Sequence, residues 1–192
     1  MLTFHPSTPE ALTYNLFKLA GLTAFTLVAL QILTGPFMVF WEKLYGKRFY
    51  RYHGYQGVFT FLFALSHWGL IHLYLYIVNI GTLEFSKGFS LVFYLGPLAL
   101  VLMTCTVVTA FLAVFRAHPF FEKVWHRIHY LNYAIFVFVF FHSRAIGSDL
   151  VAPDSSLRLL WNFFYAVFIV AVIYRSIWKP WREKKVAPVL SG

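Results

Sequence analysis

Cysteine is nearly missing from this chain: Cys105 is the only one among 192 residues. That excludes an intrachain disulfide and any iron–sulfur cluster held by several cysteines. Cys105 falls inside a hydrophobic run, where inert packing is the expected role. Charge is also scarce. Charged residues make up 12% of the chain and only seven are acidic, roughly half the charge of a typical soluble domain. No Gly-rich nucleotide fingerprint is present, and there is no low-complexity tract or sizeable polar segment. The N-terminal MLTFHPSTPEALTYN lacks a basic stretch ahead of a cleavable apolar one. The first hydrophobic run is therefore expected to insert uncleaved.

What is abundant is apolar surface. Hydrophobic residues form 60% of the chain and aromatics 21%, including 23 Phe. A water-soluble core of this size cannot hide so much, so a bilayer is the natural solvent. Runs of bilayer length occur at roughly 16–40, 54–80, 89–115, 128–146 and 159–178. They predict an all-α membrane protein, a single bundle of about five transmembrane helices occupying residues 1–192.

The net charge of +9 fits membrane topology better than nucleic-acid binding, because no basic stripe sits on a soluble domain. Lys43, Lys47, Arg48 and Arg51 follow the first run. Arg116, Lys123 and Arg127 follow the third, and Arg175, Lys179, Arg182, Lys184 and Lys185 close the chain. These twelve of the 16 Lys and Arg should face the cytoplasm. Lys87 beside Glu84, and Asp149 and Asp154 with Arg144 and Arg158, fall on the other side. The N-terminus is then outside and the C-terminus inside. The second and fourth runs both point outward.

Those two runs share most of the histidines. His53, His67 and His72 lie in or beside the second; His126, His129 and His142 lie in or beside the fourth. His5 and His118 fall in polar segments with no special role expected. An ionisable residue at membrane depth points to function, although a single one can simply bond to a neighbouring helix. Here the spacing adds information. His53 and His67 are 14 residues apart and His129 and His142 are 13 apart, both roughly 20 Å along a helix. Two parallel helices so marked offer two facing pairs at two depths. Imidazole is a common axial ligand of haem iron, and a pair fills both axial positions. That favours electron transfer over oxygen binding.

At ~100° per residue, 14 steps return to within about 40° of the starting face. Thirteen steps leave an offset of ~140°. His129 and His142 therefore require a local irregularity such as a π-bulge, or an approach from different sides. Gly57, one turn after His53, and the nearby Gly54 would admit a flat macrocycle, with Ala134 small on the partner helix. Arg48, Arg51 and Arg127 are placed for propionates at the inner pair and Arg144 at the outer pair. Phe61, Phe63, Phe136, Phe138 and Phe140 lie between the two levels, where apolar filling is the expected role of each.

The segments HGYQGVFTFLFALSH (53–67) and WHRIHYLNYAIFVFVFFH (125–142) resemble the ferric reductase-like transmembrane family. That family includes NADPH oxidases, metalloreductases and the haem subunit of bacterial methionine sulfoxide reductase systems. The H-x3-G opening and both histidine intervals match, and the resemblance covers residues 15–180. It implies two b haems between the second and fourth helices. His53 and His129 would hold the inner iron, and His67 and His142 the outer one. His72 and His126 have no ligand role in the pattern; interfacial or propionate contact suits His72.

The resemblance further implies an oxidoreductase's membrane haem subunit or domain, in a bacterial inner membrane. The expected donor is a cytoplasmic flavoprotein carrying FAD and NAD(P)H, or membrane quinol. The expected acceptor is ferric iron, dioxygen or a periplasmic redox protein. Many members have six spans and continue into a flavin and nicotinamide domain; neither the extra span nor that domain is evident here. The tail KPWREKKVAPVL suits the entry to such a domain. Two other readings remain: a non-catalytic accessory subunit of a larger complex, and a His-lined proton or metal transporter. The second calls for intramembrane Asp or Glu, which the spans almost lack.

Overall fold

The computed structural model describes residues 8–80, 91–115, 118–147, 150 and 156–178. His5, Glu84, Lys87, Arg116, Asp149, Asp154 and the tail beyond Trp178 lie outside the described residues. Everything regular among the described residues is helical. Helix α1 runs Pro9–Thr34 and passes through a 3-10 turn, Gly35–Phe37, into α2, Met38–Tyr45. Helix α3 is Arg48–Ile77, α4 is Val92–Val114, α5 is Pro119–His129, α6 is Leu131–Ile146 and α7 is Ser156–Ile173. A π-helical turn, Tyr174–Trp178, continues α7.

Local chemistry sets several boundaries. Thr8 caps α1 by accepting from the Ala11 N–H, with Pro9 at the first helical position, where a missing N–H costs nothing. His118 does the same for α5: its Nδ1 accepts from the Phe120 N–H at 3.1 Å, ahead of Pro119. Gly46, at φ +72°, lets the chain turn sharply between α2 and α3.

Among the described residues, four helical stretches are long and apolar enough to cross a membrane: Pro9–Tyr45, Arg48–Ile77, Val92–Ala113 and Ser156–Trp178. The fifth expected span is shorter. The run at 128–146 is divided at Tyr130, and α6 keeps 16 residues, about 24 Å of helix against a hydrocarbon core of about 30 Å. The surface fits an apolar solvent. Tyr76, Leu91 and Leu159 are 83%, 84% and 73% exposed, among many other outward-facing large apolar side chains. Cys105 is also on the outer surface of α4 and not in the packing. The chain has the architecture of a membrane protein.

Helices α1 and α3 pack as an antiparallel hairpin, and α4 with α6 as another. In the first, Gln56 Nε2 donates to the Leu27 carbonyl at 3.3 Å. Helix α7 closes the bundle through stacked rings. Trp161 stacks on Phe25 at 4.2 Å, Phe136 on Phe168 at 4.6 Å and Phe140 on Tyr165 at 4.3 Å. Trp161 also donates from Nε1 to Ser143 Oγ at 2.8 Å, as a buried indole N–H requires. Phe136 and Phe140 therefore belong to the core shared with α1 and α7. Phe61 and Phe138 pack against its edge, and Phe63 is exposed.

Phe136 is fully buried. Phe136→Ala is expected to cost about 3–5 kcal/mol, read as a lowered unfolding midpoint in detergent. Phe63→Ala should change that midpoint little.

Candidate functional site

The two hairpins bring the histidines of α3 opposite those of the α5–α6 segment. The His53 and His129 rings have centroids 6.3 Å apart, at an interplanar angle of 65°. His67 and His142 lie further along α3 and α6, each bonded at Nδ1 to the neighbouring helix of its own hairpin. The expected inner pair is thus brought together.

The irregularity that the 13-residue interval demands is a helix break. Helix α5 ends at His129, Tyr130 forms a turn, and α6 restarts at Leu131. The Tyr130 N–H bonds the Arg127 carbonyl at 3.2 Å and the Tyr133 N–H bonds the Tyr130 carbonyl at 3.1 Å. These tighter bonds overwind the helix locally, by about 20° per residue, while Tyr130 keeps a helical backbone. No π-bulge occurs there; the π-helical turn is at Tyr174–Trp178.

Each of the four rings has a partner at Nδ1. Thr34 Oγ1 lies 3.2 Å from His53 Nδ1 and donates its own proton to the Leu30 carbonyl at 2.8 Å. Its oxygen is therefore placed to accept from His53. His67 Nδ1 lies 2.7 Å from the Phe17 carbonyl, and His142 Nδ1 lies 3.3 Å from the Val92 carbonyl. Only donation by the imidazole makes these hydrogen bonds. His129 differs: Asn132 Nδ2 lies 3.1 Å from its Nδ1 and donates to it. For the other three rings the bond is given by the imidazole. An Nδ1–H tautomer leaves Nε2 with a lone pair for a metal, the usual state of a ligating histidine whose other nitrogen is bonded.

The donor set suits iron in a macrocycle. Among the described residues no group of three or more His, Cys, Asp or Glu is gathered for a metal. One pair of histidines, His53 and His129, is in ring contact. Two imidazoles on one metal, each at a metal–nitrogen distance of about 2 Å, have ring centres roughly 6 Å apart. The His53–His129 separation of 6.3 Å matches this.

The other expected site residues are distributed differently. Gly57 faces α1, where a Cβ would meet Gln31 Nε2 at 3.5 Å, and Gly54 borders open space. Gly57 thus serves the α1–α3 contact, where Gln31 Nε2 donates to the His53 carbonyl at 2.7 Å. Arg48, Arg51 and Arg127 are exposed at the end of the bundle that holds His53 and His129. Arg144 Nη1 donates to the Leu150 carbonyl at 3.2 Å, so it ties down the chain beyond α6. His72 and His126 are exposed, the former bonded to the Trp68 carbonyl of its own helix at 2.8 Å.

Thr34, Gln31, Asn132 and Arg175 were not anticipated. Asn132, three residues after His129, carries a readable i, i+3 signal. Gln31 is an uncharged polar residue inside a span, which also draws notice. Arg175 lies beyond sequence inference. Its Nη2 donates to the Tyr130 hydroxyl at 3.2 Å, and its guanidinium sits 4.8 Å from that ring's centre. Beside it an open groove of about 380 Å³ lies between α6 and α7. Ala134, Val137, Phe138, Phe168 and Val172 line its apolar length, and Tyr130, Tyr133, Arg175 and Ser176 its polar end.

No protein-family model matches this chain, and neither a curated protein nor a solved structure matches it.

Thr34→Val removes the acceptor at His53 Nδ1. The expected cost is about 1 kcal/mol in unfolding free energy. Nitrogen NMR of labelled histidine should also show loss of the single Nδ1–H tautomer at His53.

Proposed function

We propose that this protein carries electrons across a membrane through two bis-histidine b haems. His53 and His129 hold one iron near the basic end of the bundle, and His67 and His142 hold the other near the opposite end. The observation that supports this most directly is the facing His53 and His129 pair, 6.3 Å between ring centres. Haem iron supplies one-electron carriage between its ferric and ferrous states. The chain's own residues do the rest. The four imidazoles would hold the two irons, and the Nδ1 partners of His53, His67 and His142 keep those rings in the tautomer that leaves Nε2 free to ligate. The surrounding aliphatic and aromatic side chains keep water away, which tunes the potential.

The basic end carries Lys43, Lys47, Arg48, Arg51, Lys123 and Arg127, so it is assigned to the cytoplasm. Arg51 and Arg127 stand nearest in sequence to the inner pair and are the residues to hold its propionates. Electrons enter at this end and leave at the other to ferric iron, dioxygen or a periplasmic redox protein. The donor is a flavoprotein with FAD and NAD(P)H or a membrane quinol. The open groove between α6 and α7, apolar with hydroxyl and guanidinium groups at one end and next to Tyr130, is where a quinol would dock. The protein acts as the membrane haem subunit of an oxidoreductase.

The reduced-minus-oxidised spectrum of the purified protein tests the reading. Two b haems per chain are expected, with His67→Ala and His53→Ala each losing one of them. A protein that stays colourless after haem supplementation overturns it. Ala134→Trp, which fills the groove, should slow reduction by a short-chain quinol on the order of tenfold. Reduction by dithionite should be unchanged. Equal quinol rates in the variant and the parent would move the donor to a flavoprotein.

A further inference from the structure

The two outer rings are held in the same way by two different helices. His67 bonds the Phe17 carbonyl of α1 at 2.7 Å, and Gly21 stands four residues further along that helix. His142 bonds the Val92 carbonyl of α4 at 3.3 Å, and Gly96 stands four residues further along that one. A Cβ at Gly21 would fall 2.8 Å from His67 Nδ1 and 2.9 Å from its Cε1. A Cβ at Gly96 would fall 2.5 Å from His142 Cε1 and 2.8 Å from both ring nitrogens. Real side chains do not approach so closely, so each imidazole lies in the space of an absent side chain.

The i, i+4 relation has a geometric reason. Residue i+4 lies directly above residue i on the same helical face. The carbonyl of residue i points along the axis toward it and bonds its N–H. An imidazole from a neighbouring helix reaches that carbonyl only over residue i+4, and only glycine leaves the way open.

We infer that Gly21 and Gly96 are positioning residues for the outer metal site: each forms a seat that fixes the ligating tautomer and the plane of one imidazole. The inference rests on the haem reading proposed above. His53 is seated differently, against the Thr34 hydroxyl, with the Gly35 Cβ position 3.9 Å away, which is ordinary contact. The seats therefore act on one iron and not the other.

The test uses the full chain in detergent, with haem loaded during expression. Gly21→Ala and Gly96→Ala are compared with Gly69→Ala, which adds its methyl on α3 where nothing lies within 4 Å. Three readouts are taken: haem content, the low-spin paramagnetic resonance signals that report axial-ring orientation, and the potential of each haem. Both seat variants should lose the outer haem or shift its resonance and potential. The inner haem should keep its own, and Gly69→Ala should match the parent. The inner haem also reports that the variant is folded.

Two haems with unchanged outer resonance and potential in both seat variants would overturn the inference and leave the haem reading standing. Equal disturbance of both haems in both variants would also overturn it, because the seats would then be general packing. A parent chain that binds no haem would overturn both.

Discussion

An imidazole placed among apolar helices has to give its N–H to some acceptor, since no water is at hand to take it and an unsatisfied buried donor is costly. In this bundle that requirement organises the contacts around His53, His67 and His142. Thr34 and the carbonyls of Phe17 and Val92 lie where they accept from the three Nδ1 atoms. Once those bonds are made, the rings can turn in only limited ways. The helices that supply the acceptors are then held against the helices that supply the rings. Helix α1 contributes no histidine to the pairs. It nevertheless fixes both histidines of α3, with Gln31 and Thr34 at one end and Phe17 and Gly21 at the other.

The aromatic core serves a separate purpose. Phe25, Trp161, Phe136, Phe168, Phe140 and Tyr165 stack where α1, α6 and α7 meet. Interiors of lipid-embedded bundles gain little from expelling water and depend on close packing instead. Rings stacked in pairs supply that packing on one side of α6. The histidines occupy the other relationships of the bundle, between α3 and the α5–α6 segment. Structural and chemical faces of the same short helix are thereby kept apart.

Much of this was legible in the sequence because bilayer length and histidine spacing are one-dimensional signals. The four long helices agree with the expected runs to within several residues. The pairing of His53 with His129 follows from equal placement on parallel segments. The rest depended on which way side chains point. Gly57, read as a gap for a macrocycle, faces Gln31 across the α1–α3 contact. Arg144, read as a propionate contact, gives one N–H to the Leu150 carbonyl. The 13-residue interval required some irregularity, yet only the backbone shows that it is a break at Tyr130. That break also shortens α6, which is why the fourth hydrophobic run is not a full-length helix. Gly21 and Gly96 were invisible for a simpler reason: the rings they accommodate are 46 residues away in each case, and nothing local marks them.

Every Nδ1 bond of the four paired histidines closes inside a single helical hairpin. His53 and His67 are satisfied within α1–α3, and His129 and His142 within α4–α6 with its α5 extension. Neither hairpin borrows a proton acceptor from the other. During synthesis the first hairpin can thus be complete, with its rings already aimed, before the second leaves the ribosome. The facing of His53 and His129 comes about only at the seam where the finished halves meet. Assembly then resembles the closing of two preformed jaws.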